Sequence, residues 1–531
     1  MDFFNENLIT ILMLLPVVGA VLTIGFQAIW KQENQIKWVT LGFTVLNFLV
    51  SLALFSKSAV AGPGGFFFEK NVPWIKAIGT NYHVGVDGLS CWLVILTTFI
   101  MPIAVLSTWA SVEKRATVFY VFLLLLESAM IGVFVSLDLL VFYLFFEASL
   151  VPMFFLIGIW GGENRIYAAV KFFIFTALGS LLMLVAIIAL FYIYADQTGF
   201  GGSFDFVAIL NAMKMGQMTL APQTGMLLFF AFAIAFAIKA PLFPFHTWLP
   251  DAHTEAPTAG SVILAAILLK MGTYGLMRFN FSLFPDQSRE MAWLFITLAI
   301  IGIIYGALVA MVQPDVKRLV AYSSVAHMGF VILGMFSFTE LGMQGALYTM
   351  LSHGVTTGAL FLLVGFIYER RHTREITEFG GLSNVMPVYA TVFVITTMAS
   401  IGLPFLNGFV GEFLIMLGMF QSQVLGITAS VNWNYIAAML AGTGVIFAAV
   451  YLLWMVQRVF FGKVTNEKNK TLADLSWREI GLMIPLIILM VYMGVFPKPF
   501  LKRSQESIQA IRERVLHQAG GTIAEAPSKE R

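Results

Sequence analysis

The chain has 531 residues, 59% of them hydrophobic and 11% charged, with a mean hydropathy of +0.86. Soluble domains carry about 25% charged residues, so this is the composition of a polytopic membrane protein. The net charge of +2 gives no footprint for nucleic acid, and a lone cysteine, Cys91, excludes an intramolecular disulfide or a thiolate-held iron–sulfur cluster.

Apolar runs of about 20 residues predict helices near 8–30, 36–56, 89–110, 117–136 and 139–160. Further ones follow near 166–194, 224–248, 257–280, 291–312, 317–337, 343–368, 385–424, 433–461 and 478–497. The fold class is therefore an all-α membrane protein of about fourteen spanning helices, with both termini on one side. The N-terminus MDFFNENLITILMLL lacks a basic leader and a small-residue cleavage site, so it reads as the first span. The 58–88 loop, with aromatic and β-forming residues between turn residues, predicts a surface hairpin. Residues 196–222 should lie on that same face. The tail after Pro499 is charged, helical at first and disordered at its end. No Gly-rich nucleotide loop is present, so NAD or ATP should not bind this chain itself.

One set of alternate loops holds Lys31, Lys37, Lys114, Arg115, Arg165, Lys317, Arg318, Arg370, Arg371, Arg374, Lys463, Lys468 and Lys470, while the other holds few, mainly Lys57, Lys70, Lys76, Lys214 and Arg289. By the positive-inside rule the first set is cytoplasmic and both termini face outward. The basic C-terminal tail runs against this and is outvoted by the short loops.

Two helices are predicted to be broken. In FFAFAIAFAIKAPLFPFHTWLP, Lys239 stands two residues before Pro241, with Pro244 and Pro250 beyond. A lysine in hydrocarbon is expensive, about 2.5–3.5 kcal/mol at a helix centre. Proline breaks the helix beside it, and such breaks are tolerated where they face protein or a water-filled cavity. The 385–424 run is too long for one span and is interrupted at Gly402-Leu403-Pro404 and Asn407-Gly408. The two breaks fall at corresponding places of two five-helix blocks, which in tandem must be inverted. This divides the chain into 1–116, a first repeat 117–281, a second repeat 282–462, and 463–531 with the last helix and tail.

The ionisable residues inside the spans are Glu127, Glu147, Lys239, Lys270, His327, His353 and Glu412. Such residues mark ion paths in membranes. A carboxylate near a buried lysine favours its charged form, and separating the two lets the proton go. Glu147 beside Lys239 would make that switch. Lys270, His327 and His353 would pass protons on, and Glu412 would be the last carrier before the outer face. Glu127 is a secondary relay or a structural residue. His246, His253 and Lys171 read as interfacial.

The stretch KAPLFPFHTWLPDAHTEAPTAGSVILAAILLKMGTYGLMRF (239–279) closely resembles the M-type antiporter-like subunits of bacterial respiratory complex I. The mitochondrial counterpart is subunit 4 of NADH:ubiquinone oxidoreductase. FYLFFEASLVPMFFLIGIWGG (142–162), DVKRLVAYSSVAHMGFVILG (315–334) and LPFLNGFVGEFLIM (403–416) support it, and the resemblance spans nearly all fourteen helices. TEAPTAGS (254–261) and a glutamate at 412, where the L type carries lysine, point to the M type. The resemblance implies a proton-translocating membrane-arm subunit in a bacterial inner membrane, with L- and N-type neighbours and no redox centre of its own. NADH, FMN, iron–sulfur clusters and quinone would belong to partner subunits. It assigns Glu147 and Lys239 as the paired helix-five and helix-seven residues. Lys270, with polar residues at His327 and His353, falls on the central axis, and Glu412 is the terminal carboxylate. Alternative readings are an Mrp-type sodium/proton antiporter subunit, a membrane-bound hydrogenase subunit, or a proton-silent scaffold.

Overall fold

The computed structural model describes residues 2–30, 33–56, 65–428 and 431–517. The glycine–proline run at 62–64 and the tail expected to be disordered beyond 517 lie outside them. Thirteen helices among the described residues are long and apolar enough to span a bilayer, and a fourteenth span is made of two shorter pieces. In chain order they are α1 (Asp2–Trp30), α2 (Glu33–Ser51), α3 (Ser90–Ser107), α4 (Ala116–Val135), α5 (Leu139–Trp160) and α6 (Arg165–Thr198). The first broken helix is α7 (Pro222–Lys239) with α8 (Trp248–Glu255), followed by α9 (Thr258–Leu283), α10 (Ala292–Met311), α11 (Val316–Phe336) and α12 (Glu340–Arg371). The second is α13 (Pro387–Ile401) with α14 (Asn407–Gln421), before α15 (Trp433–Phe460), α16 (Trp477–Val495) and the surface helix α17 (Lys498–His517).

Polar starts fix where the helices begin. Asp138 caps α5 by accepting from the Leu140 and Val141 amides, and Asp315 caps α11 through Lys317 and Arg318. Ser476 and Glu479 form a capping box on α16. Proline takes the first turn of α7 and α13, where its missing N–H is harmless.

The bundle is organised around α9, α11 and α12. Their apolar windows are 100%, 94% and 100% buried, against 28% for α2 and 33% for α16. A lipid-facing helix needs only apolar atoms outside, whereas these three can carry polar side chains because other helices surround them. They hold Lys270, His327 and His353.

One end of the bundle carries the predicted hairpin, β1 (Phe67–Ile75) antiparallel to β2 (Thr80–Val86). Residues 196–222 do lie on this hairpin face. Their Asp205 accepts from Asn71 and meets His83 Nδ1 at 2.8 Å, while His83 Nε2 meets Glu69 at 3.0 Å. Burial alone would lower the His83 pKa, but the two carboxylates outweigh it and hold the imidazole above its ordinary value. The same contact holds Asp205 below the usual carboxylate range against the opposing effect of its burial.

α17 lies across the hairpin face. Arg503 donates to the Leu54 carbonyl, Arg512 to Phe338 and Arg514 to Ser282, each at or just past a helix end. Arginine there satisfies orphan carbonyls and the negative end of the helix dipole. Three arginines of the basic tail are thus committed to helix ends. The opposite end, the basic face, gathers the Lys- and Arg-rich loops. Lys37 donates to Trp109 there, and Arg374 pairs with Asp315 at 3.1 Å.

Candidate functional site

α7 ends at Lys239 because Pro241 and Pro244 follow, and the chain turns through 240–247 before α8, so the helix expected to break beside Lys239 is two pieces. The Trp248 indole donates to the Ile238 carbonyl at 2.9 Å, filling an acceptor opened by the break. Close packing supports the break from behind. A Cβ on Gly272 of α9 would meet the Phe236 carbonyl at 2.5 Å and the Ala240 nitrogen at 2.6 Å.

Lys239 is 1% exposed. Its ammonium sits 4.6 Å over the Phe146 ring and 3.4 Å from Ser149 Oγ, where α5 kinks just before Pro152. Glu147, the expected partner, is not in contact with it. The Glu147 carboxyl faces Ser180 of α6, and its Oε1 has no hydrogen-bond partner among the described residues. Each group still feels the other's charge. The pair is therefore present but apart, because the kink aims successive α5 residues to different sides.

Lys270 is fully buried in α9 between two π-helical turns, Leu264–Leu268 and Leu276–Asn280. Such turns free carbonyls from the α-helical ladder, and Lys270 Nζ takes Ala265 O at 2.5 Å. The same ammonium lies 2.7 Å from His353 Nδ1 of α12. His353 and His327 of α11 approach with ring centroids 5.7 Å apart. His327 Nδ1 then meets Glu412 Oε1 of α14 at 2.8 Å, and its Nε2 lies 3.4 Å from Ser400 Oγ at the end of α13. Both side chains of the His327–Glu412 pair are 7% exposed.

The gap between the two imidazoles borders a cavity of about 10 Å³ lined by Ser352, His353, Ser400 and Glu412, the space of about one water centre. His353 Nε2 has no hydrogen-bond partner among the described residues. The second helix break supplies room for this arrangement. Gly402 closes α13 at φ +85°, a left-handed conformation suited to glycine. The chain re-enters as α14 with Glu412 pointing back at α11. Four predicted residues, Lys270, His353, His327 and Glu412, thus stand in one continuous series.

Glu127 does not join it. Asn47 of α2 donates to its Oε1 at 2.7 Å, on the flank formed by the first helices. Two residues expected at the interface are instead buried. His246 is 3% exposed and packs on Phe243 and Tyr305. His253 of α8 is 0% exposed, stacks on Phe361 at 4.5 Å, and has no partner on either ring nitrogen among the described residues. The charges of both Lys270 and Lys317 act on it. Its surroundings in sequence, Asp251 and Thr254-Glu255, look like a polar loop, and only the return of the broken helix into the bundle covers it. Lys171 is part-buried and pairs with Asp251 of α8 at 2.7 Å, tying α6 to the second half of the broken helix.

Residues 136–437 match the family described as NADH:quinone oxidoreductase/Mrp antiporter, TM. NADH-quinone oxidoreductase subunit M of Rhodobacter capsulatus is 47% identical over 525 residues, covering 98% of this chain and 99% of the relative. The chain belongs to the subunit M family of NADH-quinone oxidoreductase. Other members include subunit M of Rickettsia prowazekii, at 43% over 94% of this chain and 98% of its own length. NADH-ubiquinone oxidoreductase chain 4 of Marchantia polymorpha is 40% identical over 94% and 95%. Among solved structures, a chain of respiratory complex I from Thermus thermophilus superposes with a TM-score of 0.83 at 33% identity, covering 96% and 99%. The Mrp complex of a Dietzia species shares the fold at 21% identity and TM-score 0.78, covering 94% of this chain and 52% of that one. The subunit M family accounts for the whole chain, so this is an antiporter-like membrane-arm subunit of the oxidoreductase, a multi-pass membrane protein made to sit among other subunits.

Proposed function

We propose that this chain carries protons across the inner membrane along its buried polar axis, from the basic, cytoplasmic face to the hairpin, outer face. The observation that carries this reading is the series Lys270–His353–His327–Glu412, in which each member faces the next across one or no water. Imidazoles accept on one nitrogen and donate from the other, so they relay protons between fixed amine and carboxyl sites. Lys239 and Glu147 serve as the gate. With the carboxylate close, the lysine keeps its proton; with the carboxyl turned to Ser180, the lysine can give it up. NADH oxidation and quinone reduction belong to partner subunits, and the drive reaches this chain from an L- or N-type neighbour that shifts the gate. The two broken helices are one device used twice, in repeats of opposite orientation.

The test is dye-reported proton uptake into inverted membrane vesicles fuelled by NADH, comparing wild type with Lys239→Ala. Loss of the pH gradient with the complex still assembled is the expected result. A full gradient in the variant would leave Lys239 a structural residue and favour the scaffold reading.

A further inference from the structure

A cavity of about 490 Å³ opens on the basic face, bounded by the ends of α3, α5 and α12 and by the elbow between α8 and α9. Its wall carries Glu255, Lys317, Glu369, His372 and Arg374. This is ample for several waters, and it contains none of the axis residues. At its base the last carbonyls of α8 are taken one by one. Arg374 donates to Thr254 O at 2.6 Å, the Gly162 amide to Glu255 O at 2.9 Å, and the Lys317 ammonium to Ala256 O at 2.5 Å. Lys317 belongs to the first turn of α11 and reads in sequence as a topology-setting charge. It is in fact 7% exposed and turned inward.

Two features make Lys317 more than a helix cap. Arg374 already supplies a fixed cation to the same elbow, and it is held there by Asp315. A second structural cation would be served as well by an arginine, whereas a lysine amine can lose its proton. His253, in the last turn of α8 three residues before Ala256, feels the charge of Lys317 and is fully buried, with both ring nitrogens unpartnered among the described residues. A doubly unsatisfied buried imidazole is unusual, since buried polar groups are ordinarily hydrogen-bonded. Lys270, whose charge also acts on His253, is anchored to Ala265 O within α9. The groups facing Lys317 are Ala256 O, Arg374, Asp315, Glu255 and His253.

We infer that Lys317 is the proton-uptake residue of the basic face, loading from the cavity and delivering through His253 to Lys270. This rests on the proton path proposed above. In the step, an N–H bond of the Lys317 ammonium breaks as a proton passes, directly or through water, to one nitrogen of neutral His253. The N–H on the other nitrogen passes to the neutral Lys270 amine, and cavity water returns a proton to Lys317. No charge is created or lost overall.

The test uses the whole complex in its own membranes, with NADH-driven uptake into inverted vesicles and assembly checked on native gels. Lys317→Arg keeps the cation and the donor to Ala256 O but cannot release a proton. It should assemble and lose at least tenfold in pumping rate. Lys317→His, titrating near 6.5 rather than 10.4, should pump with an optimum moved at least one unit toward acid. If the arginine variant fails to assemble, the histidine variant carries the test alone. Pumping by Lys317→Arg at the wild-type rate, or by Lys317→His with an unmoved optimum, overturns the inference. Lys239→Ala run beside them separates the two claims: its failure to pump, with Lys317→Arg normal, removes Lys317 and leaves the path. Normal pumping by both removes the path as well.

Discussion

Replacing Glu412 by glutamine probes the end of the polar series with almost no change of shape. The buried His327 Nδ1–Glu412 Oε1 contact is 2.8 Å long. A hydrogen bond to a charged group contributes about 1.5–3 kcal/mol, and a neutral one about 0.5–1.5. Glu412→Gln should therefore weaken the link by about 1–1.5 kcal/mol, while removing the carboxylate on which the proposed path ends. Assembly and detergent stability should change little, and proton pumping should fall more than tenfold. His327→Gln alone should fall as far, and the double variant no further, because residues acting as a unit are not additive. The assay is NADH-driven dye quenching normalised to assembled complex. Full pumping by Glu412→Gln, or a double variant worse than either single by their product, would refute a shared step at this pair.

Other consequences can be measured directly. Gly272→Val should prevent assembly, because its side chain would overlap the Phe236 and Ala240 backbone beside the break; native-gel yield reads this out. Asp251→Asn removes the partner of both Lys171 and Arg318 and should loosen α8, seen as faster hydrogen exchange over 248–255. The hairpin link should depend on pH in a defined window. The raised His83 pKa makes its contribution complete below about 6.5 and lost as pH rises through the folded value, while the lowered Asp205 pKa makes its contribution complete above about 3.9 and lost as pH falls. Exchange protection of β1 and β2 should thus be greatest between about pH 4 and 6.5, and His83→Gln should flatten the profile.

The helix-breaking residues were the most legible part of the function. Proline beside Lys239, and Gly402 with Pro404 before Glu412, announce an interruption whatever surrounds them, since a missing N–H is a local property. Lys270, His327 and His353 were legible as anomalies because each is polar within an apolar run. Their order was not, since it depends on which faces of α9, α11 and α12 meet. Glu147 shows the limit on pairing: two opposite charges in neighbouring spans were expected in contact, and the kink at Ser149–Pro152 decides otherwise. Lys317 and His253 were hidden for opposite reasons. The lysine sits in a basic run of the kind that sets topology, and the histidine sits among turn-forming residues that normally face water. Both are buried by the return of α8 into the bundle, a long-range event with no local mark.

The two π turns flanking Lys270 have a mechanical consequence. An α-helix pinned at both ends allows each side chain a single bearing, set by the residue count. Each π turn stores one residue of slack, so Leu269–Gly275 form a sleeve joined to the rest of α9 by two slip points. Passing that slack along by one position swings a side chain through about 100° and moves it about 1.5 Å along the axis. Such a shift would turn Lys270 away from His353 while the ends of its helix stay still. A swivel of this kind would turn inside a fixed frame and leave the outline of the bundle unchanged.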